Sequence, residues 1–451
     1  MRRKIASYLS ALIISMYLVY LDYTMLQYVA WETSRRLFPG IEHYPVYSFV
    51  RYLFYLTGAF VITAYATYFI FYIYFRSSEG ATKYPRLYPK VSIVVPAYNE
   101  GMNIERLLES IYYQDYPFNL VEVIVVDDGS LDATAEIASS WGAKVISHET
   151  NLGKARSLED GIKAATGDVI VTMDADSYFG TGSSLRYIVE SLHTKPNIGV
   201  STGVIRIAPI KGSLLEKFQE IEFLHSFEVG RRVQSYLGWL LVVPGAFSAF
   251  KSYFLKRLQT VPKDTLAEDF DLGMIAYRAG LDSVFEPNAI IYTYPETSWR
   301  RAYRQRLRWY YGGLQVMAKH RDMILNWKYG EKGFFLFAHI ILLEYLLSFI
   351  HVFGMVSFPT MVLLQYVFDI RVLDFTLPPT VMAFLFFLVF ILQYLPGVLM
   401  SSIAMAIEHG LAKAFSYLTP ILLYYTLYNP LLSIIKVDAT LRYMRGVVQG
   451  W

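Results

Sequence analysis

The chain of 451 residues contains no cysteine and only eight histidines. The lack of thiols excludes disulfide bonds and thiolate metal sites, and it argues against a zinc or copper centre. The net charge is only +3, from 41 basic and 38 acidic residues, so the strong basic character typical of nucleic-acid binding is also missing. Apolar residues are in excess, at 54% of the chain, and they are concentrated in long blocks.

Five of these apolar blocks are long enough to cross a bilayer, for which about 20 residues are needed. They are residues 5–31, 52–75, 334–368, 375–407 and 414–435. The third block could form one long helix or two short ones. We count five spans, and four or six are the alternatives. We expect two transmembrane helices within residues 1–75 and about three within 333–451.

The distribution of basic residues predicts how these spans are oriented. Three basic residues at 2–4 precede the first block and four follow the second, whereas the loop between the two holds three, Arg35, Arg36 and Arg51. Cytoplasmic flanks of membrane helices carry the excess of lysine and arginine. We therefore predict a multi-pass protein of the cell membrane whose polar section, residues 76–332, lies in the cytoplasm.

The polar section alternates between strand and helix patterns. Four short β-branched runs occur at 91–95, 121–126, 143–147 and 168–173, and helical patterns such as 103–113 and 153–165 separate them. Continuous apolar strands suit a parallel sheet covered on both faces, and the alternation predicts a doubly wound, Rossmann-like α/β fold. Ligands of such sheets bind beyond the carboxyl ends of the strands. The loops that follow the strands are therefore the expected place of a site.

Charged motifs occupy these loops. They are "PAYNE" (96–100), "DDGS" (127–130), "NLGKA" (151–155) and "DADS" (174–177). Asp174 and Asp176 alternate along an extended turn, so a cation that prefers oxygen ligands could bridge them to a phosphate. A lone Asp-x-Asp is a solvated turn about as often as it is a metal site. Four charged motifs on one edge of the sheet favour a ligand site. Mg²⁺ or Mn²⁺ is the expected cofactor, because both suit carboxylate and diphosphate oxygens.

Together with "AEDFDL" (267–272) and "QRLRW" (305–309), these motifs resemble the family 2 inverting glycosyltransferases. With flanking membrane helices, the set is similar to the membrane-embedded processive synthases of cellulose, chitin, hyaluronan and poly-N-acetylglucosamine. Residues 267–316 are most similar to poly-β-1,6-N-acetylglucosamine synthases. The resemblance covers about 90–330 of the sequence. It implies a cytosolic GT-A domain, inserted between the membrane helices, that transfers a sugar from a UDP-sugar, and UDP-N-acetylglucosamine is the expected donor.

The resemblance also implies how the matching residues would hold the donor and a metal. Tyr98 would stack on the uracil ring, Asp128 with Asp127 would bind the base and ribose, and Lys154 would meet the diphosphate or the uracil. Asp174 and Asp176 would ligate the cation. The implied donor-binding residues are Pro96, Tyr98, Glu100, Asp127, Asp128, Lys154, Asp174, Ala175, Gln305, Arg306 and Arg308.

A carboxylate pair matches the family's catalytic position. Asp269 would be the general base that takes the proton of the acceptor hydroxyl, and Glu268 would raise the pKa of Asp269 by like-charge repulsion or orient its neighbours. Asp271 follows two residues later on an incipient helix. Carboxylates at a helix N-terminus are also stabilised by the helix dipole. Gly245, within "VPGAFSAF", and Trp309 would contact the acceptor sugar.

The basic, aromatic strip around "QRLRW" is expected to form a mobile gating loop. Arg306 and Arg308 would close over the leaving diphosphate, Gln305 would fix the loop, and Trp309 would offer a flat face to a sugar ring. A helix resting at the bilayer interface is the alternative interpretation. Upstream, residues 211–237 mix apolar and charged positions at helical spacing, which predicts an interface helix.

Two functions remain in competition from the sequence alone. One is a processive β-glycosyltransferase that elongates and exports a polysaccharide. The other is a non-processive membrane enzyme that places a single sugar on a lipid acceptor. A sugar-binding protein with a dead site is disfavoured because the acidic motifs are intact. The expected partners are the UDP-sugar, the growing polysaccharide or lipid, and the bilayer, whereas the sequence leaves donor, linkage and oligomeric state open.

Overall fold

The structure, a computed structural model, describes residues 69–77, 86–209, 212–258, 260–330, 332–333, 340–366 and 379–447. These residues belong to two compact units. The helical unit comprises the described residues within Met1–Ser78 and Phe349–Pro430, and the sheet unit those within Glu79–Ser348 and Leu431–Trp451. The predicted membrane span at 5–31, and that at 52–75 up to residue 68, lie outside the described residues.

One mixed sheet of eight strands forms the centre of the sheet unit, in the order β3-β2-β1-β4-β7-β6-β8-β5. The strands are β1 (Val91–Ala97), β2 (Val121–Asp127), β3 (Lys144–Ser147), β4 (Val169–Met173), β5 (Ser177–Phe179), β6 (Ile198–Ile207), β7 (Phe247–Lys251) and β8 (Asp282–Thr293). Strands β1 to β4 run parallel, as predicted from their apolar runs. Strand β7 pairs antiparallel with both β4 and β6, so the second half of the sheet departs from the doubly wound pattern.

Strands β1 and β4, in the middle of the sheet, are mostly apolar and buried because both of their faces are covered. In β1, Ile93 and Val95 belong to one buried cluster, and Val94 between them belongs to another. Successive side chains of a strand point to opposite faces, so the two clusters are the cores on either side of the sheet. The helices are α1 (Ile104–Tyr112), α2 (Thr134–Ser140), α3 (Lys154–Ala164), α4 (Ser184–Ser191), α5 (Leu214–Phe223), α6 (Arg231–Leu237), α7 (Ser252–Arg257), α8 (Glu268–Arg278) and α9 (Trp299–Lys319).

The predicted interface helix is confirmed as a helix. A π-helical segment, Leu224–Gly230, joins α5 to α6, so the chain is helical from residue 214 to 237. Helix α5 begins with a capping box, in which the Ser213 side chain accepts from the Glu216 backbone N–H and the Glu216 side chain accepts in return. The packing of this helix against a membrane remains a prediction.

The mobile loop expected at residues 305–309 is instead the middle of helix α9. Ala302, Arg306, Leu307 and Tyr311 are all buried. Burial of these side chains within the sheet unit stabilises the segment as a helix, which explains why the loop prediction was wrong.

The last residues of the described chain also pack on α9 within the sheet unit. The Tyr303 hydroxyl donates to Asp438, and the Tyr311 hydroxyl donates to the backbone carbonyl of Val447 at 3.0 Å. The segment 431–447 therefore belongs structurally with the sheet, although more than 100 residues separate it from α9 in the sequence.

Helices account for most of the described residues after 340. They are a π-helical segment (Ile341–Leu346), α10 (Leu347–Tyr366), α11 (Pro379–His409), α12 (Leu411–Ser416), α13 (Leu418–Leu423), a second π-helical segment (Tyr424–Tyr428) and α14 (Asn429–Met444). Among the described residues, one continuous helix, Leu418–Met444, is long and apolar enough to cross a membrane, with a mean hydropathy of 1.3. Helices α10 and α11 overlap the predicted spans 334–368 and 375–407, but a multi-pass arrangement remains a prediction.

Candidate active site

An open cleft of about 250 Å³ lies at the carboxyl ends of the parallel strands, where the charged loops were predicted to converge. The register that pairs Ala97 with Asp127 brings the ends of β1 and β2 level, and β4 ends on the other side of β1. The cleft is lined by Pro96, Ala97, Tyr98, Glu100, Asp128, Asn151, Gly153, Lys154, Ser157, Asp174, Ala175, Asp176 and Arg308. Most of the residues predicted to bind the donor are thus brought together.

Asp128 anchors the loop that forms one wall of the cleft. Its carboxylate accepts hydrogen bonds from the backbone N–H groups of Leu152 at 2.9 Å and Gly153 at 2.8 Å, and it contacts His148 Nδ1 at 2.7 Å. Burial alone would raise the pKa of Asp128, but these hydrogen bonds lower it below its usual value. The neighbouring Gly129 has a φ of 78°, and a Cβ there would lie 2.9 Å from the backbone of Thr150, so only glycine fits this turn.

The acidic loop after β4 combines with Lys154 into a charged cluster. Lys154 Nζ lies 2.5 Å from Asp174 Oδ1 and 3.8 Å from Glu268 Oε1. Burial opposes the charge of Lys154, but the two carboxylates raise its pKa above the ordinary value. The pKa of Asp176 is raised to about 7, because of its burial and the negative charges of Asp174 and Glu100. One lysine therefore does not balance the four carboxylates of this cluster, Glu100, Asp174, Asp176 and Glu268.

This donor set fits a divalent cation that is shared with a substrate. Within the ranges that the structure describes, no group of three or more histidine, aspartate or glutamate side chains is arranged to hold a metal ion. Mg²⁺ is commonly bound through one or two carboxylates plus substrate phosphates, and does not require such a cage. Asp174 and Asp176 supply the two carboxylates, and the raised pKa of Asp176 indicates negative charge that a cation would offset.

The predicted base and the predicted acceptor loop meet directly. Asp269 Oδ2 accepts a hydrogen bond from the backbone N–H of Gly245 at 2.8 Å, and Asp269 Oδ1 accepts from the N–H of Phe270 at 2.7 Å. A Cβ at Gly245 would lie 3.2 Å from Lys154 Nζ, so a side chain here would crowd the cluster. The pKa of Glu268 is raised by its burial and by the charge of Asp269, against the effect of Lys154.

The residues of "QRLRW" are divided between two environments. Arg308 lines the cleft, and the Trp309 ring is 38% exposed beside it on α9. Arg306 points the other way and is only 1% exposed, with Nη2 at 2.7 Å from Glu222 Oε2 on α5 and its guanidinium 4.8 Å from the Trp309 ring. Gln305 accepts a hydrogen bond from Arg306. Neither Gln305 nor Arg306 is among the residues that line the cleft.

Some residues of the site were not predicted, and Asp127, like Gln305 and Arg306, was predicted to bind the donor but does not line the cleft. Asn151, Gly153 and Ser157 line the cleft, and the first two belong to the "NLGKA" motif that had been noted as a whole. Asp127 is buried at the end of β2, where its side chain accepts from the backbone N–H of Ser130 at 3.2 Å. That contact shapes the "DDGS" turn from within. His148 carries no sequence motif of its own.

The fold and the site together define a class. A sheet of this topology gathers carboxylates, a lysine and an arginine around a cleft, next to a second carboxylate pair held by a glycine loop. This is the arrangement of a GT-A-like α/β glycosyltransferase. The sequence profile described as "Glycosyl transferase family 2" matches residues 92–258. This section of the chain is therefore a family 2 glycosyltransferase domain.

Two curated relatives show the same similarity over the catalytic section. The chain is 30% identical over 233 residues to a poly-beta-1,6-N-acetyl-D-glucosamine synthase of Staphylococcus epidermidis. The matched region covers 51% of this chain and 56% of the relative. It is 31% identical over 244 residues to the probable glycosyltransferase YdaM of Bacillus subtilis, covering 51% and 57%. The matched part thus spans about half the length of these relatives.

A solved structure extends the likeness to most of the chain. The mannosyltransferase PcManGT from Pyrobaculum calidifontis, determined in complex with GDP-Man and Mn²⁺, superposes with a TM-score of 0.50. The superposition covers 87% of this chain and 99% of the archaeal protein, at 20% sequence identity. At this level of identity the likeness concerns the fold alone.

Proposed function

We propose that the protein transfers a sugar from a UDP-sugar to an acceptor hydroxyl in a single displacement that inverts the anomeric centre. The observation that carries this proposal is the position of Asp269, which the N–H of Gly245 holds beside the Lys154–Asp174 pair. A carboxylate within reach of a donor cleft can accept the acceptor's proton. The acceptor oxygen then bonds to the anomeric carbon as the bond from that carbon to the diphosphate breaks, and the electron pair leaves with UDP.

Different residues of the cleft would bind different parts of the donor. Tyr98, which is 46% exposed, faces the cleft and would stack on the base, while Asp128 and the backbone it anchors shape the nucleoside end. Lys154 and Arg308 would meet the diphosphate and its growing negative charge. A divalent cation, Mg²⁺ or Mn²⁺, held by Asp174 and Asp176 would supply further neutralisation of the leaving group. The archaeal mannosyltransferase was determined with Mn²⁺, which supports this assignment by analogy of fold only.

The acceptor is proposed to be a growing β-linked polysaccharide. The similarity to a poly-beta-1,6-N-acetyl-D-glucosamine synthase supports N-acetylglucosamine as the sugar and a polymer as the product. Trp309 follows the cleft-lining Arg308 on α9, and its partly exposed ring would present a flat face to the acceptor. Elongation with export through several membrane helices completes the proposal. Transfer of a single sugar to a lipid is the alternative, and the size of the product separates the two.

The test is a donor screen with product sizing. The full chain, purified in detergent, is incubated with single UDP-sugars and with GDP-mannose, in the presence of Mg²⁺ or Mn²⁺, and nucleotide release is measured. The proposal expects UDP release from UDP-N-acetylglucosamine and a product of many sugars. A single-sugar lipid at every donor concentration would replace the polymer function by the lipid one, and the lack of release from any UDP-sugar would reject both.

The Asp176→Asn variant is the matched control for this screen. It removes one negative charge from the cation site and leaves the size of the side chain nearly unchanged. We expect it to lose nucleotide release under conditions in which the wild-type chain is active. Equal release from both proteins would place the donor chemistry elsewhere.

A further inference from the structure

A buried carboxylate two residues after the proposed base has no part in the chemistry described so far. Asp271 on α8 is completely buried, and its oxygens contact His320 Nε2 at 2.8 Å, Lys319 Nζ at 2.7 Å and Thr265 Oγ1 at 3.3 Å. Burial would raise the pKa of Asp271, but the hydrogen bonds from His320 and Lys319 lower it. Asp271 is therefore an ionised, enclosed group that cannot reach an acceptor hydroxyl.

The tautomer of His320 follows from its two partners. Arg278 Nε lies 2.9 Å from His320 Nδ1, and a guanidinium can only donate, so Nδ1 must be the unprotonated nitrogen. The proton on Nε2 is then donated to Asp271. Because Asp271 and Arg278 both belong to α8, the buried ring of His320 joins two points of that helix to the C-terminal end of α9.

Further contacts fasten the chain just before the base to the same helix. The backbone N–H of Leu266 donates to Gln315 Oε1 at 2.8 Å, and Lys319 Nζ lies 2.7 Å from Asp264 Oδ1. A Cβ at Gly312 would lie 2.8 Å from the backbone nitrogen of Ala267, so the two segments touch without an intervening side chain. Residues 264–271 and the second half of α9 therefore form one block.

We propose that Asp271 and His320 are positioning residues that fix Asp269, at the start of α8, relative to Arg308 on α9. The base and the diphosphate-binding arginine then keep one spacing, because the helices that carry them are joined by the contact between Asp271 and His320. This inference rests on the proposed function for the roles of Asp269 and Arg308. The joined block itself is a property of the fold that can be measured without turnover.

The test compares two variants of the same histidine. His320→Leu removes both hydrogen bonds at similar volume, whereas the amide of His320→Gln can donate to Asp271 and accept from Arg278. We expect His320→Leu to lower kcat by on the order of 10-fold to 10²-fold, as small displacements of catalytic groups do, with the KM for the donor unchanged. His320→Gln should recover most of the rate. Asp271→Asn should lose as much as His320→Leu, and the double variant no more than either.

Hydrogen exchange of the backbone provides the readout that needs no activity. In His320→Leu, the amides of residues 264–271 should exchange faster, while those of 151–157 in the donor loop should not change. The matched control is His193→Leu, which removes an exposed histidine whose Nδ1 lies 3.0 Å from the carbonyl of Val189 on α4. That variant should alter neither the rate nor the exchange at 264–271.

Three outcomes would overturn the inference. They are unchanged exchange at 264–271 in His320→Leu, equal losses in the Leu and Gln variants, and a rise in donor KM that accounts for the whole loss of rate. Failure of the proposed function has a different signature. In that case the wild-type chain releases no UDP, while the exchange experiment still reports whether the block depends on His320.

Discussion

Arg306 and Arg308 lie two residues apart, and the structure predicts opposite consequences when each is removed. Arg306 is 1% exposed and contacts Glu222 at 2.7 Å and 3.4 Å, with Gln219 Oε1 at 3.3 Å. Removal of one partner from such a buried pair leaves an uncompensated charge and costs about 3–5 kcal/mol. In a domain of this size, 1 kcal/mol corresponds to a change in Tm of about 2–4 °C. Arg306→Met should therefore lower Tm by roughly 6–20 °C.

The same variants give an expected split between stability and donor binding. Arg306→Met should leave the donor KM unchanged in the protein that remains folded, because Arg306 does not line the cleft. Arg308→Met is the matched control, and it should raise the donor KM while Tm stays close to wild type. Thermal unfolding of the detergent-solubilised protein and UDP release provide the two measurements. A wild-type Tm together with a raised donor KM in Arg306→Met would refute the reasoning and would indicate that Arg306 binds the diphosphate.

Three further predictions concern the base, the metal and pH. Asp269→Asn should lower kcat by roughly 10²–10⁴ with donor binding retained, because the amide cannot accept the proton, and near-wild-type UDP release would move the base elsewhere. Excess chelator should abolish UDP release and Mn²⁺ or Mg²⁺ should restore it, whereas full activity in chelator would exclude the metal. Burial lowers the pKa of His225 to about 4, so as pH falls below 6.5 the histidine is protonated in the unfolded chain before it is protonated in the folded chain. The free energy of unfolding, measured by denaturant titration, should therefore drop by at most about 3 kcal/mol towards pH 4. His225→Leu should abolish this loss.

The parallel half of the sheet was predictable because its signals are local. Strands β1 to β4 are short β-branched runs, of which β1 and β4 are buried on both faces, and a pattern within one run is enough to recognise them. The position of the cleft then followed from topology, since parallel strands bring Asp128, Lys154 and Asp174 to one edge. The antiparallel pairing of β7 with β4 could not be predicted in this way, because it joins residues 247–251 to a strand about 80 residues earlier.

The functions of individual side chains were harder to predict where their partners are distant in sequence. The contact between Arg306 and Glu222 joins residues 84 positions apart, and that between His320 and Asp271 joins residues 49 apart. No local sequence pattern indicates either contact. The sequence analysis gave a helix around "QRLRW" only as the alternative, because the density of charge there suggested an exposed loop. The ion pair with Glu222 is what allows the charge of Arg306 to be buried.

The central claim is a single displacement in which Asp269 takes the acceptor's proton and the anomeric centre is inverted. Stereochemistry tests it most directly. Product formed from an α-linked UDP-sugar is isolated after the first transfers, and the configuration of its new linkage is read from the coupling of the anomeric proton by NMR. The account predicts a β linkage in every product molecule. An α linkage would require retention, and would contradict the single displacement and the role of Asp269 together.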